Sequence, residues 1–461
     1  MMNGPFDRIV KNGTVVLPGG TRKLDIGIAD GKIAALSESL ASSEPWAGQV
    51  MDAEGCYVLP GMIDIHVHFN EPGLHDWEGF ESGSASLAAG GITSYADMPL
   101  NGNPPTVTPD VLRLKQERAA QSSVVDYLFW GGLMPGKLDQ LEAMSKAGVI
   151  GFKAFMSSPG GEGESRFRET DDWTLLEGMK RIAKLGGFVA LHAESDSITA
   201  HLAAEAVAAG RLDARAFIAS RPPIAELEAV NKALLFAEIT GCPLHFVHIS
   251  TVEAVEMIVR AKANGLEVTV ETCPHYLYFT EEDMAEQGPV AKCAPPLRTV
   301  EQKEGLWRLI AEGKLDIIAS DHSPCPPELK FGQDRSFFDV WGGISGAQSS
   351  MELILHEGWI KRGIAIDKLS ALMSAGPAKR FGLYPQKGAI AIGSDADLAI
   401  IHPDHPYTLR DADLFYRHKH SPYSGKQFNC KVAATLVRGE LVYVEGQGVK
   451  GGFRGRGLMS G

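Results

Sequence analysis

Two histidines separated by one residue, in Asp64-Ile65-His66-Val67-His68, open the chemistry of this chain. Residues two apart on a strand project to the same face, so His66 and His68 present paired imidazoles, with Ile63, Ile65 and Val67 expected on the opposite face. Lys153 interrupts the apolar run VIGFKAFM, His192 ends GFVALHA, His248 ends LHFVHIS and Asp321 ends LDIIASD. Four imidazoles and a carboxylate suit a borderline divalent metal, and can serve two ions if a further ligand bridges them. Lys153 is the odd member, because a buried ammonium is costly unless paired and repels metal cations. An amine held neutral by burial can take up CO2 as a carbamate, which reverses the charge and offers one oxygen to each metal. The plainer alternative is a lysine paired with a carboxylate or a substrate anion.

The elements that must carry these residues are short apolar runs, each followed by a stretch of helical periodicity, which predicts parallel strands with crossover helices. There are eight: GMIDIHVHF, GITSYADMP, VVDYLFWGG, VIGFKAFMS, GFVALHAES, LHFVHIS, LEVTVETCP and LDIIASDHS. Eight closes a (β/α)8 TIM barrel, whose chemistry lies at the C-terminal ends of its strands. An open doubly wound sheet is disfavoured, since no GxGxxG or GxxxxGK[ST] turn follows the first run. Both chain ends instead alternate apolar and polar residues around turn signals at Asn12-Gly13, Asp30-Gly31 and Gly439. The expected α/β architecture is therefore a catalytic barrel over 56–387, a small composite β-sandwich from 1–55 and 388–450, and a flexible tail over 451–461.

Across 461 residues, 44 Lys+Arg against 57 Asp+Glu give a net charge of −13, which opposes general attraction to nucleic acid or anionic lipid. No uncharged apolar run is long enough to span a bilayer, and the N-terminus lacks a basic segment followed by an apolar core, so a cytoplasmic location is expected. Six cysteines without a CxxC pair argue against a disulfide lattice or a thiolate zinc knuckle.

The ordered motifs GMIDIHVHFNEPG, GFKAFM, LHAE, HFVHIS, ETCPHYL, KCAPPLR and SDHSPC resemble those of the cyclic amidohydrolases of the amidohydrolase superfamily. That group contains dihydroorotases, hydantoinases (dihydropyrimidinases) and allantoinases. The resemblance implies a centre of two divalent ions, zinc foremost with cobalt, manganese or iron as alternatives. His66, His68 and Asp321 would hold one metal, His192 and His248 the other, and N6-carboxylated Lys153 would bridge them. It implies a homotetramer acting on a small cyclic amide, with Asp321 carrying the proton between the attacking water and the leaving ring nitrogen.

Dihydroorotases usually place Arg two residues after the His-x-His pair and His four beyond the catalytic Asp, to clamp a substrate carboxylate. This chain has Asn70 and Cys325 there. Hydantoinases usually place Tyr five residues after the lysine, where this chain has Ser158. Allantoinases are similar at all these points, including the DMPLNGNPP segment around Asn101, so a neutral cyclic ureide is the expected substrate and allantoin the expected example. Asn70, Asn101, Ser158 and Ser323 are the expected substrate contacts. His275 is read as a supporting or loop residue, His322 as touching substrate or orienting Asp321, and Cys325 as a small pocket wall. Hydantoinase, dihydroorotase and a metal-free scaffold protein are the alternative readings.

Overall fold

A computed structural model describes residues 6–40, 49–161, 166–332 and 335–458. The eight apolar runs form the strands Met62–Val67, Ile92–Asp97, Asp126–Phe129 continued by Gly131–Gly132, Phe152–Phe155, Val189–His192, Leu244–Phe246, Val268–Thr272 and Ile317–Ile318. Each pairs in parallel with the next. The ring closes where His322 bridges Val67 and the His68 N–H donates to the His322 carbonyl at 2.8 Å.

Alternation along the strands sorts the apolar residues into two layers. Val189, Leu191, Leu244, Phe246, Val268 and Val270 share a core with helix residues such as Leu175, Met179, Val230 and Ile258. Ala190, Val247, Ile317 and Trp130 fill a second cluster inside the ring. Helix starts follow the chain chemistry: Asp171 caps Asp172–Lys184 by accepting the Thr174 N–H at 2.6 Å.

The first strand departs from the expected alternation. Its pairing with Ile92–Asp97 shifts register between Asp64 and Val67, with one residue more on this strand than on its neighbour. Ile63 and Ile65 therefore join the interior cluster, on the same side as the histidines, and Val67 and Phe69 pack outward. A bulge re-aims side chains where strict alternation would not.

Strands from both chain ends build one nine-stranded sheet. Tyr57–Pro60 lies between Arg8–Leu17 and Leu398–His402, and Lys431–Val437 and Glu440–Val444 extend the C-terminal side. Val10, Ile26, Val58, Leu398, Ile400 and Leu436 share its core, the inner layer of the β-sandwich. Tyr57–Pro60 thus belongs to this sheet, although sequence reading assigned it to the barrel. Asp30-Gly31 and Arg438-Gly439 turn hairpins with positive φ, whereas Asn12-Gly13 is a bulge within a strand and not a turn.

The end of the chain also corrects an expectation. Residues 455–458, expected to be flexible, lie along the third barrel strand: Gly455 N–H donates to the Ser123 carbonyl, Tyr127 N–H to the Arg456 carbonyl and Leu458 N–H to the Tyr127 carbonyl. Gly455 is required, because a Cβ there would stand 1.8 Å from the Val125 carbonyl oxygen. Residues 459–461 lie outside the described residues.

At this base of the barrel the carboxylates Asp126, Asp395 and Asp397 converge. Lys387 Nζ reaches all three, at 2.8, 3.3 and 2.5 Å, Arg438 pairs with Asp126, and Arg456 Nη2 lies 2.7 Å from Asp395. Among the described residues no helix is long and apolar enough to cross a membrane.

Candidate metal centre and active site

The opposite, C-terminal end of the barrel gathers all six residues singled out by spacing. His66 Nε2 and His68 Nε2 lie 3.1 and 3.2 Å from the same Asp321 Oδ1. His192 Nδ1 lies 3.0 Å from His248 Nε2, and the His66 and His248 rings are 5.4 Å apart. Lys153, on the strand Phe152–Phe155, is fully buried, with Nζ 4.9 Å from the Phe155 ring.

Backbone geometry at the mouth is unusual. His248 (φ 41°), Asp321 (φ 47°), Asn70 (φ 66°) and Asn101 (φ 65°) all occupy the left-handed region, which non-glycine residues enter at a cost. His248, Asp321 and Asn70 each come just after a strand end, where the chain must turn sharply to hold a side chain over the axis.

Each of three imidazoles has one ring nitrogen engaged and the other turned inward. His66 Nδ1 donates to Glu271 Oε1 at 2.8 Å, and Glu271 also meets His245 Nε2 at 3.2 Å and accepts the His248 backbone N–H. His192 Nε2 donates to Glu194 Oε2 at 2.9 Å. A carboxylate can only accept, so these contacts place a proton on Nδ1 of His66 and Nε2 of His192 and turn Nε2 of His66 toward Asp321 and Nδ1 of His192 toward His248, where a metal would be held. His68 Nδ1 faces the Asn101 side-chain amide at 3.3 Å.

The electrostatics favour a cation. Burial opposes charge on His66, yet Asp321 and Glu271 lift its imidazole to about 9. Glu271 and Glu194, despite burial, are held down to about 2, by His66 and His245 and by Arg221 and His192 respectively. Burial pushes the Lys153 amine down to about 8, against the upward pull of Asp321 and Glu271. Lys153 Nζ and His248 Nδ1 have no hydrogen-bond partner. These orphaned buried atoms, with His66, His68 and Asp321 ligand atoms all within 4.8 Å of one another, are a donor set that fits divalent metal.

The expected substrate contacts divide. Asn70 is buried, donates to the Pro324 carbonyl at 3.4 Å and keeps Oδ1 unpartnered. Ser323 is buried, its N–H on the Ile344 carbonyl and its carbonyl receiving Trp341 Nε1–H. Asn101 is turned toward His68. Ser158 is exposed, and its N–H donates to Asp196 Oδ1 at 2.9 Å; the buried hydroxyl without a partner is its neighbour Ser157. His275 is buried with neither ring nitrogen partnered, and burial pushes it down to about 4. His322 accepts the Gly346 N–H on Nδ1, which leaves Nε2 facing Glu78 at 3.9 Å. Cys325 is fully buried.

Sequence reading missed Glu194 and Glu271. Glu194 stands inside the quoted LHAE motif and Glu271 opens ETCPHYL. A buried acid two residues after a ligand candidate was the available signal for the first. Glu271 and His66, 205 positions apart, meet only through the fold.

Residues 57–442 match the model of the Amidohydrolase family. The chain is 48% identical to an allantoinase of Rubrobacter xylanophilus over 97% of its own length and 96% of that protein. It is 49% identical to an allantoinase of Bacillus velezensis over 96% and 95%. The L-hydantoinase (dihydropyrimidinase) from Arthrobacter aurescens superposes with a TM-score of 0.90 at 36% identity, covering 99% of this chain and 98% of that one.

Proposed function

This chain belongs to the amidohydrolase family, and we propose that it hydrolyses the hydantoin ring of allantoin, adding water across a ring amide to give the ureido acid allantoate. The near-full-length identity to two allantoinases carries this reading. Asn70 and Cys325 support it, since a neutral amide and a thiol replace the cations that would clamp an anionic ring.

His66, His68 and Asp321 would hold one divalent ion and His192 and His248 a second, with Lys153 between them; zinc is our choice and cobalt, manganese or iron are compatible. Bound there, two such ions supply Lewis acidity toward the ring carbonyl and bring water's pKa toward neutrality. The neutral Lys153 amine adds to CO2, forming an N–C bond and releasing one proton, and the resulting carbamate answers the orphaned Nζ. Asp321 uses Oδ1 for His66 and His68; its second oxygen takes the proton of the attacking water and returns it to the ring nitrogen as the C–N bond breaks. Asn70, with a donor and an acceptor on one planar group, matches the alternating N–H and C=O of a ureide. Ser323, two residues beyond Asp321, and Asn101, facing His68 Nδ1, are further substrate contacts on this reading. Six unpaired buried cysteines support a reducing, cytoplasmic setting, and the family resemblance supports a homotetramer.

The test is one assay of metal-loaded protein on allantoin, hydantoin, dihydrouracil and dihydroorotate. We expect kcat/KM for allantoin to exceed each of the others by at least about 100-fold, some 3 kcal/mol of discrimination. A preference for dihydroorotate, or for hydantoin, overturns the assignment of substrate.

A further inference from the structure

The two halves of the centre are held by different means. His66 and His68 rest on Glu271 and Asn101, whereas His192 rests on Glu194, which is fully buried and has one oxygen, Oε1, without a partner. The other oxygen, Oε2, takes both His192 Nε2–H and Arg221 Nη1–H. From Arg221 the hydrogen bonds continue. Its carbonyl accepts Arg298 Nη1–H at 2.6 Å, Arg298 Nε donates to Ser250 Oγ at 3.0 Å, and Ser250 N–H and Oγ–H both donate to Glu226 Oε1. An unbroken run thus joins His192, at the end of Val189–His192, to Ser250, two residues beyond His248.

We propose that Arg221, acting through Glu194, is a positioning residue for the second metal: it locks the His192 ring with Nδ1 inward and leaves the first metal to other residues. This rests on the two-ion reading above. Rotating an imidazole by half a turn about its outer side-chain bond exchanges Nδ1 for a carbon, which cannot coordinate. Glu194 prevents that rotation only while its own carboxylate is fixed, and Arg221 is the guanidinium that pairs with it at hydrogen-bond distance. Arg221 also lies over the Phe217 ring, 5.6 Å from its centroid, so its side chain is braced on two sides.

The test compares wild type with Arg221→Met, Arg221→Lys and Glu194→Gln, each equilibrated in buffered zinc and analysed for zinc per chain and for the two dissociation constants. Wild type should bind two ions. Arg221→Met and Glu194→Gln should weaken one site by about 10- to 100-fold and leave the other unchanged, and Arg221→Lys should recover most of the loss. Unchanged affinity at both sites in the two disruptive variants overturns the proposal, as does equal weakening of both. Wild type binding fewer than two ions overturns the two-ion reading itself, and that result is read before any variant is compared.

Discussion

The barrel carries a buried lysine among carboxylates at each end, and the two could hardly be treated more differently. At the base, Lys387 sits within 3.3 Å of three carboxylates, and their charge raises its amine above the ordinary lysine value despite burial. At the mouth, Lys153 has no partner within hydrogen-bond reach, and burial pulls it down to about 8. Both ends bring acidic or imidazole ligand atoms close enough for a metal. Proximity alone therefore does not mark a site. The base is internally answered, three acids against Lys387, Arg438 and Arg456, and holds parts of the fold together. The mouth is left with imidazoles, an acid and an unpartnered amine, lowered below the ordinary lysine value, whose needs an incoming group can meet.

The sharpest way to break this contrast is to remove each lysine. Lys153→Ala should cut kcat/KM on allantoin by at least about 1,000-fold, with bound metal lost and the thermal midpoint little changed. Native mass should show a CO2 adduct in wild type that is absent in the variant; retained metal and activity without added short carboxylic acids would sink the carbamate.

Lys387→Met should do the reverse. It removes the amine shared by three buried acids and leaves Asp397 without its ion pair, which should cost about 3 to 5 kcal/mol of stability, read by urea unfolding, with kcat per folded molecule within about twofold of wild type. Because Lys387 is raised in the fold, its contribution is complete below the unfolded lysine value and is lost only as alkaline pH rises through the folded one.

A smaller effect grades the contrast. Glu78 is buried near the mouth, its Oε1 accepting the Arg417 N–H and its Oε2 orphaned, and burial pushes its carboxyl up to about 7. A folded value above the unfolded one gives stability that is full below pH about 4.5 and fades as pH rises through 7. Glu78→Gln should therefore match wild type near pH 4.5 and exceed it by about 2 kcal/mol at pH 8; equal stabilities at both pH values would show that this acid is already answered. Of similar size, Glu271→Gln should weaken metal binding by about 10- to 100-fold in chelator competition, or about 1.4 to 2.7 kcal/mol.

Much of this was legible in the residues. All eight apolar runs are barrel strands, because a buried parallel strand needs continuous Ile, Val and Phe, and the polar exceptions at their ends are the residues the mouth collects. Three kinds of fact were not legible. The bulge between Asp64 and Val67 flips Ile63 and Ile65, and periodicity has no term for an inserted residue. Ser157 and Ser158 are chemically identical neighbours, so only the path of the chain decides which is buried. Glu271 and the ordered tail at Gly455–Leu458 depend on partners hundreds of positions away or on a carbonyl that sequence does not display.

The base cluster also has a bearing on how the protein is made. Asp126 leaves the ribosome long before Lys387, and longer still before Arg438 and Arg456. During synthesis its carboxylate must stay hydrated, and the third strand cannot seal against the floor of the barrel until nearly the whole chain has emerged. Without residues 455–458 the third strand would lose the backbone hydrogen bonds at Ser123 and Tyr127, and Asp395 its contact with Arg456, leaving that seam open to water.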